Sequence, residues 1–345
     1  MRERKARAPG GEDAPLFALP GFPLFFDGQA GRPGRKEGSR HSVSFRACSS
    51  RHFFQEELPV SAIFMPRDVY GVIGWPLAQS LSPLLHNTGF QTLGIPGVYL
   101  RWEVAPEHLS RFLDAVRVLP VRGLSVTLPH KVAVMPLLDG LTREAEAVGA
   151  VNTLFWKDGA LWGDNTDVAG FMAPLQPLCL PEETPVLLLG AGGAARAVAA
   201  GLTLAGFRHV RIATPSNTSH LPLAGRFGLE PVAWEARHDA PAGLVVNTTP
   251  LGMRGKHEGE SPCDFARLPP AGTWALAYDI VYNPVRTAFV AGAEACGRRC
   301  VTGVEMFFGQ GDAQFRRWTG RSLPAAARAA LDSALRERAC DEERG

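Results

Sequence analysis

Apolar positions along this chain switch between two spacings, and the switches mark out its elements. From Val69 onward, short runs rich in β-branched residues at 69–73, 98–104, 124–127 and 151–155 predict strands. Between them, within 106–118, Leu109, Phe112, Leu113 and Val116 fall at i, i+3, i+4 and i+7, the apolar stripe of a helix facing a core. Ser82 and Pro83 read as an N-cap with proline at the first helical position. Strands and helices alternating in this way predict an α/β fold with a mainly parallel sheet.

A second series starts at Pro185. The unbroken apolar strand Val186-Leu187-Leu188-Leu189 runs into Gly190-Ala191-Gly192-Gly193-Ala194-Ala195, which opens an alanine-rich helix; later strands are expected at 210–213, 244–246 and 275–280. Beyond Pro324, which suits a first helical turn, Ala327, Ala330, Leu331 and Ala334 recur at helical spacing and predict a helix that packs back on the first series. In residues 1–64 glycine and proline interrupt the apolar stretches and neither period persists. This segment is expected to be a disordered or dispensable extension, with Met65 as an alternative start.

Composition narrows the partners. With 345 residues, 46% hydrophobic and 20% charged, the chain is of ordinary globular type, which excludes collagen-like and wholly disordered classes. Thirty-six Lys and Arg against 34 Asp and Glu leave +2, too balanced for a nucleic-acid groove or an anionic membrane surface. A small-molecule partner is expected, with the protein a monomer or homodimer. No apolar run reaches membrane-spanning length, and Pro20, Gly21 and Pro23 break the one stretch that resembles a signal peptide, so a cytoplasmic protein is expected. The six cysteines form no CxxC pair and no zinc spacing, and are read as reduced thiols with no metal.

The loop 190–195 is the clearest chemical signal, because a glycine-rich turn between an apolar strand and a helix start suits a dinucleotide pyrophosphate. Gly190 would allow the tight turn, Gly192 the approach of backbone to phosphate, and Ala195 the packing of helix on strand. About 20 residues on, where an acidic residue would select NAD or an arginine NADP, stands Ala213-Thr214-Pro215-Ser216, with Arg208 and Arg211 nearby. Polar clusters in the first series also fall near strand ends: Ser80 and Ser82, Thr127 and Lys131, Asn152, and Asp167. Taken singly each has an ordinary explanation. Ser82 could be only an N-cap, Ser80 a local turn bond, Lys131 a solvated surface charge and Asp167 a helix cap. Asn152 could satisfy backbone, Gln310 face water and Tyr282 pack a loop.

In order along the chain stand GVIGWPLAQSLSPLLHN (71–87), GLSVTLPHK (123–131), GAVNT (149–153), GDNTD (163–167), GAGGAARAV (190–198), NTTPLGM (247–253), YDIVYNP (278–284) and GVEMFFGQG (303–311). This ordered set resembles the shikimate/quinate dehydrogenase family over about 66–335. The resemblance implies NADP-dependent reduction of 3-dehydroshikimate to shikimate in aromatic amino-acid (chorismate) biosynthesis. It also implies a substrate domain (65–168 plus 303–339), a Rossmann-type cofactor domain (169–302) and a flexible end (340–345). By motif, Ser80 and Ser82 would hold the substrate carboxylate. Thr127, Asn152, Asp167 and Gln310 would bind ring hydroxyls or the catalytic lysine, with Tyr282 approaching from the cofactor domain. Lys131 would be the acid/base, coupled to Asp167. Gly190, Ala191, Gly192, Gly193, Ala194, Thr248 and Gly303 would meet the cofactor.

Two positions depart from the family pattern. Gln79 stands where a histidine often precedes the serine pair. Thr214-Pro215-Ser216 replaces Asn-Arg-Thr, whose arginine holds the 2′-phosphate, so NADP is implied while NAD stays open. Two rival readings remain: an NAD-dependent quinate/shikimate dehydrogenase, and a non-catalytic dinucleotide-binding regulatory module on the same fold.

Overall fold

The computed structural model describes residues 65–342 apart from 78–79, 256 and 271; the expectations for residues 1–64, Gln79 and 343–345 lie outside them. Six strands, β1 (Asp68–Gly74), β2 (Gly97–Glu103), β3 (Val121–Val126), β4 (Gly140–Leu141), β5 (Thr153–Lys157) and β6 (Ala160–Asp164), form one sheet in the order β2-β1-β3-β5-β6-β4. β1 pairs parallel with β2 and β3, whereas β5 runs antiparallel to β3 and β6, and β4 lies parallel to β6. The sheet is therefore parallel in one half and closed by a hairpin in the other. Around it lie α1 (Ser82–Leu93), α2 (Leu109–Val116), α3 (His130–Ala133), α4 (Arg143–Val148) and α5 (Asp167–Met172).

The alternation along β1 explains why both faces are covered. Tyr70 and Val72 join Leu85 and Phe90 on one side, while Ile73 joins Leu109, Leu113 and Val116 on the other. The stripe read from the sequence thus faces a core, although its segment begins as a 3₁₀ turn at Pro106–His108 and the helix stops at Val116. Ser82 is not the N-cap. It is the first helical residue of α1; Leu81 takes the cap position and no side chain caps it.

The second sheet contains β7 (Val186–Leu189), β8 (Val210–Ala213), β9 (Glu230–Pro231), β10 (Leu244–Asn247), β11 (Leu276–Asp279) and β12 (Arg299–Val301). Its order, β12-β11-β10-β7-β8-β9, with every neighbouring pair parallel, is the doubly wound dinucleotide-binding arrangement. Strand order reverses between β7 and β10, so the glycine loop after β7 sits at the switch point. Leu187 and Leu189 face one core, Val186 and Leu188 the other.

The helices that follow are α6 (Gly193–Leu204), α7 (Leu221–Phe227), α8 (Ala288–Ala295), α9 (Gly303–Thr319) and α10 (Ala325–Glu342). The last two return to the first sheet, where Phe315, Ala327, Leu331 and Leu335 pack with Tyr70, Leu85 and Phe90. α10 reaches Glu342, three residues past the expected boundary at 339, because no glycine or proline follows Pro324 until after the helix has ended. Cys179, Cys263, Cys296 and Cys300 are free thiols. Among the described residues no helix is long and apolar enough to cross a membrane.

Candidate active site

Two loops at the carboxyl ends of β1 and β3 hold each other. Thr127 N–H donates to the Ile73 carbonyl at 2.9 Å and Trp75 N–H to the Leu128 carbonyl at 3.0 Å. The second loop runs into α3, whose second residue is Lys131, and the Lys131 carbonyl accepts from Val151 N–H at 2.7 Å. This ties the lysine backbone to the segment that enters β5.

Asp167 opens α5 and meets the lysine there. Lys131 Nζ lies 2.6 Å from Asp167 Oδ2, with side-chain exposures of only 15% and 6%, so neither is a solvated surface charge. Asp167 Oδ1 accepts from Asn152 Nδ2 at 2.8 Å. Asn152 is itself fixed: Nδ2 also donates to Thr166 Oγ1 at 3.0 Å, and Oδ1 accepts from Thr166 N–H at 2.8 Å and Thr153 Oγ1 at 2.7 Å. Both carboxylate oxygens are engaged, while the ammonium, with three N–H bonds, commits one of them to Asp167.

A close helix crossing brings the aspartate to this point. A Cβ on Gly170 would sit 2.7 Å from Gln310 N and 2.8 Å from Met306 O, so only glycine lets α5 and α9 touch backbone to backbone. Thr166 Oγ1 donates to the Gln310 carbonyl at 3.2 Å across the same contact. Gln310 is part-buried, and its side-chain amide donates to the Phe307 carbonyl at 2.9 Å. Tyr282 stacks on Phe307 with ring centroids 4.6 Å apart. Ser80 Oγ accepts a long bond from Ser82 N–H at 3.4 Å, the local turn contact foreseen as its ordinary reading. Ser82 is buried.

The glycine loop lies beside this pair. Gly190 has φ +109°, and a Cβ there would come within 2.5 Å of Thr248 Oγ1. Thr248 donates both its N–H and its hydroxyl to the Leu189 carbonyl, at 2.8 and 2.7 Å, and so pins the turn. Gly192 faces open space, and a Cβ on Gly193 would have Lys131 Cδ at 3.5 Å. An open backbone cradle at the start of α6, next to the lysine, fits a dinucleotide pyrophosphate. A Cβ on Gly303 would fall 2.4 Å from the Ile280 carbonyl, so glycine there lets α9 start hard against the exit of β11.

At the end of β8, Thr214 shares a hydrogen bond of 2.8 Å with His220 Nδ1, and Ser216 donates to Ser219 Oγ at 2.8 Å. The stretch 214–220 holds no lysine or arginine. Of the cations near in sequence, Arg211 donates to the Ala240 and Pro241 carbonyls and Arg208 pairs with Glu182 and Glu183. The loop after β8 therefore carries hydroxyls and no cation of its own.

Sequence reasoning missed Tyr99, Ser125, Thr153, Thr166 and Gln314, all buried in the same polar cluster. Ser125, Thr153 and Thr166 lie inside motifs already quoted, and Gln314 follows Gln310 by one helical turn, which is a usable signal. Tyr99 carries none beyond its strand.

Comparison with known proteins finds similar sequences and structures. The profile described as "Shikimate dehydrogenase substrate binding domain" matches residues 72–154. The chain is 53% identical over 274 residues to the shikimate dehydrogenase (NADP(+)) of Oleidesulfovibrio alaskensis, a match covering 79% of this chain and 97% of that protein. The crystal structure of the Thermus thermophilus enzyme with NADP(H) and shikimate superposes with a TM-score of 0.70 at 37% identity, over 78% of this chain and all of that one. A quinate dehydrogenase of Corynebacterium glutamicum in complex with NAD gives a TM-score of 0.70 at 30% identity, over 77% of this chain and 99% of that one.

Proposed function

The chain belongs to the shikimate dehydrogenase family, and from that membership we propose how its residues divide the work. It is an oxidoreductase of aromatic amino-acid biosynthesis that interconverts 3-dehydroshikimate and shikimate with NADP(H). When bound, the nicotinamide supplies or accepts the hydride at the carbon bearing the reacting oxygen. The side chains manage the proton. Lys131 Nζ gives one to the oxygen as the carbonyl becomes an alkoxide and takes it back in the oxidative direction, and its positive charge stabilises the oxyanion between. Asp167 orients that ammonium, and Asn152 orients Asp167.

Ser80 and Ser82 hold the substrate carboxylate, for which hydroxyls are neutral donors that rotate to suit. Thr127, Gln310 and Tyr282 meet the ring hydroxyls. Gly190, Ala191, Gly192, Gly193, Ala194 and Thr248 form the pyrophosphate cradle, and Gly303 at the start of α9 also meets the cofactor. Residues 65–168 with α9 and α10 act as the substrate domain and 169–302 as the cofactor domain, in a cytoplasmic monomer or homodimer. The observation that carries this reading is the largely buried Lys131–Asp167 contact at 2.6 Å, adjacent to the open glycine loop. A four-way kinetic comparison of shikimate and quinate with NADP and NAD tests it. Shikimate with NADP should give the highest kcat/KM; a higher value for quinate with NAD, or no turnover with any pair, would contradict it.

A further inference from the structure

The two halves of the proposed substrate site are joined below the surface by one buried hydrogen-bonded chain. Tyr99, whose backbone carbonyl and N–H are both bonded by the side chain of Asn87 on α1, the helix that Ser82 opens, donates to Ser125 Oγ at 2.6 Å, and Ser125 donates to Gln314 Oε1 at 2.7 Å. Gln314 Nε2 donates to Thr153 Oγ1 at 3.1 Å and to the Asn152 carbonyl at 3.0 Å. Thr153 then donates to Asn152 Oδ1, and Asn152 to Asp167 Oδ1. Every donor from Tyr99 onward points towards the aspartate that holds Lys131. Gln314 is 1% exposed and stands at the one link where an acceptor must face β3 while a donor faces the entry to β5. A carboxamide offers both from one planar group.

We propose that Gln314 is a positioning residue that locks the Asn152–Asp167–Lys131 arrangement in register with the Ser125–Tyr99 arrangement, to which Asn87 ties α1 and hence Ser82 at its start. This rests on the functional reading above, since it assumes that Ser82 holds substrate and Lys131 moves the proton. Its physical basis is that each member of the chain is buried, so an unmade bond costs more than it would in water. The titratable side chains on the Ser125 side are His86 from α1 and Tyr99 from β2, which stack 4.5 Å apart; on the other side, beyond Asn152, lie Asp167 and Lys131. Burial pushes His86 down to about 3 and raises the Tyr99 hydroxyl, so both stay neutral near pH 7.

Two variants test the claim. Gln314→Leu removes acceptor and donor together and should lower kcat and raise the shikimate KM, with kcat/KM down by about 10- to 100-fold. Gln314→Glu keeps the shape. Its neutral acid can accept from Ser125 and donate once, whereas its ionised form has no proton for Thr153 or Asn152. That variant should approach wild-type kcat/KM at low pH and lose it as pH rises through the new carboxyl's ionisation, a limb the wild type lacks, with shikimate affinity by calorimetry following the same curve. Folded variants with wild-type kcat, KM and pH profile would overturn the proposal. Should Gln314→Leu lose its cooperative melt, Gln314→Glu alone decides. The functional reading is judged separately, by wild-type turnover and its loss in Lys131→Met.

Discussion

Ser82, read from the sequence as a helix cap, is the first helical residue of α1 instead, and Lys131, which alone would suggest a solvated charge, is held in a nearly buried pair with Asp167. Both outcomes follow from position on the fold, which local sequence does not encode. The loops after β1 and β3 were legible because polar residues directly after an apolar strand fall at a sheet's binding end. Gln314 was not, because its meaning depends on Ser125, 189 residues earlier in the chain. Pro215 shows the same logic at the cofactor. It is exposed, on a stretch whose hydroxyls bond one another and whose neighbouring arginines are committed elsewhere. Pro215→Arg should tighten NADPH binding by about tenfold or more, the worth of one charge-assisted hydrogen bond, and leave NADH unchanged. Fluorescence titration of the two reduced cofactors checks this.

At the level of elements, β7 and β8 fell where their apolar runs predicted, since a strand buried on both faces reads as a continuous block. β6 escaped, although Asp158-Gly159 between β5 and β6, with φ of 52° and 79°, is a two-residue hairpin turn whose signal was present in the sequence. β4 has two residues and no pattern to detect. The crossing of α5 and α9 is the element contact on which the site depends, and Gly170 is what permits it. Gly170→Ala should cost about 1–3 kcal/mol of stability by forcing the helices apart. It should also reduce kcat, because Asp167 and Thr166 move with α5. Urea unfolding and steady-state kinetics on the same sample measure both; stability and kcat equal to wild type would show that the crossing tolerates a methyl group.

The molecule as a whole sets two sheets side by side through α5 and α9, and Phe171 of α5 stacks on Tyr278 of β11 with ring centroids 5.0 Å apart, inside the core of the second sheet. Each sheet contributes what the other lacks. The doubly wound sheet offers an open glycine turn at its switch point, and the half-parallel sheet offers the ammonium, the carboxylate and the serines. Periodicity could reveal two α/β series; it could not reveal that Lys131 of one would stand against Gly193 of the other, because that contact arises from tertiary packing. The central claim is that this lysine handles the proton. Lys131→Met keeps the apolar stem and removes the ammonium, so steady-state oxidation of shikimate by the purified, folded variant tests it most directly. Turnover should fall at least about 10²-fold while shikimate binding changes far less; turnover within about threefold of wild type would contradict it.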